Sequence, residues 1–68
     1  MKEENLKVVS IMYYEELGEV TKHFRNFIVD LKHLNNRDFI RAIDFLAGLT
    51  NINGSLKKIN KYTFEVTY

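Results

Sequence analysis

Two serines, two histidines and no cysteine are what this 68-residue chain offers to nucleophilic and thiolate chemistry. A catalytic nucleophile needs a base within hydrogen-bond reach and a third group that orients the base. Ser10 and Ser55, with His23 and His33 as candidate bases, show no nucleophile-elbow spacing. His23, Asp30 and His33 supply three potential metal ligands, but they lack the i, i+4 helical spacing of a zinc helix and no thiolate can join them. Gly18, Gly48 and Gly54 are too dispersed to cradle a phosphate. Catalysis, a cofactor and a metal are therefore not expected, and the function is expected to be binding.

The recognition chemistry lies at the end of the chain. Tyr62, Phe64, Val66 and Tyr68 alternate with Thr63, Glu65 and Thr67, which gives a strand with one apolar face. Core packing is the default use of that face. Beside Lys57, Lys58 and Lys61 it also suits an apolar groove with a cationic rim, able to take a short peptide with apolar anchors and an acidic group. In a rival reading the lysines meet phosphates and Tyr62 or Phe64 stacks a base, and affinity then falls steeply with salt. A third is a small-molecule regulatory domain with its ligand at a subunit interface. Ten basic against nine acidic residues leave a net charge of +1, so no overall field attracts nucleic acid or an anionic membrane.

The elements that must hold these residues follow from periodicity. Residues 1–6 form a polar lead-in, and residues 7–13 are β-branched and aromatic enough for a strand, whose apolar run predicts a buried position. Residues 14–25 carry Leu17, Val20, Thr21 and Phe24 at helical spacing, and residues 27–31 form a short apolar strand reached by a parallel crossover. Asn35 or Asn36 can cap a second helix, with Asp38 favourable in its first turn, running to about Leu49. After a turn at 51–54, strands at 55–60 and 62–68 are joined tightly at Asn60-Lys61, where asparagine tolerates the positive φ of a two-residue hairpin. The expected fold is a small α/β sandwich, βαβαββ, with two helices packed on a mixed sheet in one domain over residues 7–68. No apolar run approaches the roughly 20 residues of a membrane span, and the first residues lack a signal-peptide core, so a cytoplasmic location is expected.

The second helix has more apolar surface than one sheet requires. Phe39, Ile40, Ala42, Ile43, Phe45, Leu46, Ala47 and Leu49 span an arc of about 220°, against the roughly 100° of an ordinary surface helix. Either the first helix and the sheet edge cover the excess, or a second copy does. A domain of this size buries only about 60% of its unfolded surface, which favours association. Gly48, on the polar strip with Arg37, Arg41 and Asp44, is either a left-handed helix-ending residue or a point of close approach by another helix.

The stretch Arg41-Ala-Ile-Asp-Phe-Leu-Ala-Gly-Leu49, with Asn53-Gly-Ser-Leu-Lys-Lys-Ile59 and Thr63-Phe-Glu-Val-Thr67, resembles the core of the SepF family of bacterial cell-division proteins, which link the FtsZ polymer to the membrane. The resemblance runs from about Lys7 to Tyr68. It implies a homodimer that binds the C-terminal tail of FtsZ at the division septum, in a pocket at the dimer interface, with Lys58 and Phe64 as contacts. It also implies that the glycine of the Phe-Leu-x-Gly motif, here Gly48, serves helix contacts that build larger assemblies. Ile40, Phe45, Ala47, Gly48 and Leu49 are the expected dimer or assembly surface. Family members begin with an amphipathic membrane-binding helix and a flexible linker, neither of which occurs in these residues, so membrane attachment is expected only through such a segment outside them. The usual double glycine before the third strand is Asn53-Gly54 here.

Overall fold

Phe27 and Val29 are fully buried while their neighbours Asn26, Ile28 and Asp30 are not. That alternation marks a sheet covered on one face. The structure is a computed structural model and describes residues 6–68; most of the lead-in predicted over 1–6 lies outside the described residues. The elements are β1 (Lys7–Ser10), α1 (Glu16–His23), β2 (Asn26–Asp30), α2 (Asn36–Leu49), β3 (Ser55–Asn60) and β4 (Thr63–Thr67). They form a mixed sheet of order β1-β2-β4-β3 with both helices in a single small domain, the expected architecture.

β1 and β2 run parallel, which the α1 crossover permits, and β4 is antiparallel to both β2 and β3. Register places Phe27 opposite Val66 and Val29 opposite Phe64. These four residues join Ile11, Leu17, Leu31, Ala42 and Leu46 in the buried core. Each such large side chain contributes about 1.5–3 kcal/mol through its removal from water, so the central strands and the inner face of α2 hold the fold together.

Local chemistry sets the limits of α2. The Asn35 side-chain oxygen accepts from the Asp38 N–H at 2.8 Å, satisfying a donor that the first turn leaves unpaired. At the other end the buried Thr50 hydroxyl donates to the Leu46 carbonyl at 2.8 Å. The next turn closes through the Gly54 N–H on the Thr50 carbonyl at 3.2 Å.

Three expectations need correction. β1 ends at Ser10 and lies at the sheet edge rather than in a buried position, leaving Val8 64% exposed on the uncovered face. Its apolar run reflects Val9 beneath the helices and the buried Ile11 beyond the strand, while Met12 and Tyr13 are exposed in the following turn. The first helix begins at Glu16 rather than 14: the preceding residues form a tighter turn, with the Glu16 and Leu17 N–H groups donating to the Tyr13 and Tyr14 carbonyls at 3.0 Å, and the Glu16 carboxylate accepts the Met12 N–H at 2.8 Å. The β3–β4 connection uses no positive φ. Instead the Asn60 side chain accepts the Tyr62 N–H at 3.1 Å, and a register shift between Lys58 and Asn60 takes up the twist.

Candidate protein-interaction surfaces

The β3–β4 hairpin brings two sequence-predicted residues together. Lys58 stands opposite Phe64 in the antiparallel register, so both belong to the helix-covered face of the sheet. Their depths differ. Lys58 is exposed at the edge strand, whereas Phe64 is 8% exposed and part of the core, beside Val29 on the neighbouring strand. Lys57 pairs with Glu65 and therefore belongs to the opposite, uncovered face. Among the described residues none of Lys57, Lys58 and Lys61 lies in an ion pair; the pairs present involve Lys22, His23, Lys32 and Arg41.

Tyr62 continues the Phe64 face outward to the turn. Its ring meets Phe39 of α2 edge-on, with centroids 5.6 Å apart, and the Lys61 ammonium lies 5.3 Å from its centroid. The Tyr62 carbonyl accepts from the Leu31 N–H at 2.8 Å, which ties the turn to the end of β2. Tyr62 nonetheless keeps 37% of its surface. Alternation along the closing strand marks the face that Tyr62 shares, but not how much of it α2 would leave open.

The residues expected to form an assembly surface on α2 fall into two groups. Ile40, Ala47 and Gly48 are exposed, whereas Phe45 and Leu49 are half-buried against the core. Tyr14 packs edge-on against Phe45 at 6.4 Å, and the Arg41 guanidinium lies 4.1 Å over the Tyr14 ring. Phe39 and Ile43 are likewise half-buried against the core. Much of the 220° arc is thus covered within one copy, and Ile40 with Ala47 is what remains open. An open apolar recess of about 170 Å³, lined by Tyr14, Glu15, Leu17, Gly18 and Phe45, separates α1 from α2.

Gly48 does not end the helix in a left-handed conformation. It lies inside α2, no glycine has positive φ among the described residues, and an added Cβ would meet nothing within 4 Å. The reading of Gly48 as a left-handed cap is therefore set aside. Among the described residues no close packing requires glycine there.

The groups weighed for chemistry are scattered. Ser10 and Ser55 occupy opposite edge strands, and His23 is an exposed residue 3.8 Å from Glu19. No cluster of three His, Cys, Asp or Glu residues suited to a metal is found among the described residues. No helix among the described residues is long and apolar enough to cross a membrane.

A protein-family model described as cell division protein SepF matches residues 6–67, nearly the whole chain. No curated protein matches it.

Proposed function

The chain belongs to the SepF family of cell division proteins, and on that premise we propose that it is a non-catalytic adaptor. In this reading it pairs with a second copy, binds the C-terminal tail of FtsZ, and helps to tether or organise FtsZ polymers at the septum. The observation that carries the binding half is the hairpin. Lys58 lies opposite Phe64 on the helix-covered face, the Lys61 ammonium lies 5.3 Å from the Tyr62 ring centroid, and neither lysine has a carboxylate partner among the described residues. Unneutralised ammonium groups beside an aromatic surface complement a peptide that alternates apolar and acidic side chains. Ile40, Ala47 and Gly48, open together on α2, support the pairing half.

The test is a titration of an FtsZ C-terminal peptide against the wild type and against Lys58→Glu. Saturable binding by the wild type is expected, weakened by about tenfold or more when the lysine becomes a carboxylate. Absence of saturable binding by the wild type would remove the binding claim. A salt series separates this from phosphate recognition by the same lysines, because counterion release makes nucleic-acid affinity fall far more steeply with ionic strength.

A further inference from the structure

The turn between α2 and β3 carries a reactive pair that neither binding surface uses. Asn53 is exposed and is followed by Gly54, the one glycine in the chain that follows an asparagine. An asparagine side-chain amide is open to attack by the main-chain nitrogen of the next residue, and a glycine there leaves that nitrogen without a side chain to shield it. Asn51 stands exposed in the same turn but precedes the branched Ile52, and the exposed Asn60 precedes Lys61. We propose that Asn53 is a modification site: it deamidates through the Gly54 nitrogen when the turn opens, and the isoaspartate formed no longer lets Gly54 return to its place.

The closed turn protects that nitrogen. The Gly54 N–H donates to the Thr50 carbonyl at 3.2 Å, which favours the protonated form, and the nitrogen must lose this proton to become a nucleophile. Gly54 is also packed against main chain, since a Cβ there would collide with the Thr67 carbonyl oxygen and lie 3.0 Å from the Thr50 Cα. Local opening removes both restraints. The Gly54 nitrogen then gives its proton to solvent base and bonds to the Asn53 side-chain carbonyl carbon. The bond from that carbon to the amide nitrogen breaks, the nitrogen regains a proton from solvent and leaves as ammonia, and a succinimide remains. Water opens the ring at either carbonyl. Attack at the side-chain carbon gives aspartate. Attack at the main-chain carbon breaks its bond to Gly54 and gives isoaspartate, with one extra methylene in the main chain. Isoaspartate displaces Gly54 from a position without spare room. Either product sets a carboxylate just beyond α2, whose last turn holds no basic residue to offset it.

Peptide mapping by mass spectrometry on the full chain, incubated at mildly alkaline pH with and without urea, tests this. Asn53 is expected to convert in both, about tenfold or more slowly in the folded chain because turn opening limits the rate, while Asn51 and Asn60 stay intact. The isoaspartyl form, separated by its added negative charge, is expected to melt lower by about 4 °C or more. Asn53→Asp carries the charge on the normal linkage and is expected to lose about half of that or less. Equal rates in the folded and the urea-unfolded chain would overturn the gating by the turn. An isoaspartyl form that melts with the native protein would overturn the displacement of Gly54. Asn53 left unconverted in urea, or Asn51 converting as fast, would remove the site itself.

Discussion

Gly54 and Gly48 are chemically identical and stand in opposite physical situations. At Gly54 a Cβ would collide with the Thr67 carbonyl oxygen and lie 3.0 Å from both the Thr50 Cα and the Tyr68 Cβ. The φ there is not positive, so space rather than backbone conformation is what requires glycine. Two of the three neighbours are main-chain atoms, which cannot swing aside as a flexible side chain would. Gly54→Ala is therefore expected to cost about 1–3 kcal/mol in urea unfolding, the usual range for forcing extra volume into packed structure. At Gly48 the same substitution enters open space on a helix and removes backbone freedom from the unfolded chain. A gain of about 0.5–1 kcal/mol is expected for Gly48→Ala. A loss of stability there, measured at a concentration where the protein is monomeric, would mean that Gly48 is needed within the single copy.

α2 is the element that connects the core to both candidate surfaces, and its start is set by one hydrogen bond. Asn35→Ala leaves the Asp38 N–H without its side-chain acceptor. The expected cost is about 1 kcal/mol, or about 4–8 °C in the melting temperature of a domain this small. Asn35→Ser is expected to recover most of it; equal losses in both variants would argue against a capping role. The limits of α2 and β3 were legible in the sequence because caps, apolar periodicity and turn residues act over a few positions. The place of β1 was not. Strand order depends on contacts distant in sequence, and Val8-Val9 suits an edge strand with one covered face as well as a central one. The hairpin shows the same division: alternation assigned Tyr62 and Phe64 to one face, but α2 determines that Phe64 is enclosed and Tyr62 is not. Asn60 was recognised as a turn former for the wrong reason, since its side chain bonds the Tyr62 N–H instead of its backbone adopting a positive φ.

At the scale of the molecule, two helices on a four-stranded sheet leave its other face uncovered among the described residues, and the two exposed surfaces are weighed by their side chains. Val8 is the large exposed apolar residue of the bare face within β1, where it neighbours Ser10, and Asp30, Glu65 and Lys57 share that face. Charged neighbours keep such a face in water at little cost. On α2, Ile40 is 61% exposed and shares the outer surface with Ala47 and, toward the polar strip, with Asp44 and Gly48; the small residues let another helix approach closely. Self-association is therefore expected to use α2. In sedimentation at high micromolar concentration the wild type is expected to dimerise. Ile40→Glu should raise the dimer dissociation constant by about tenfold or more, because an unpaired carboxylate would be buried at the contact. Val8→Glu, equally exposed in the single copy, should leave the association unchanged. Loss of the dimer in Val8→Glu with retention in Ile40→Glu would transfer the pairing to the bare sheet face. A wild type that stays monomeric throughout would remove the pairing half of the proposed function, leaving the hairpin as a peptide site complete within one copy.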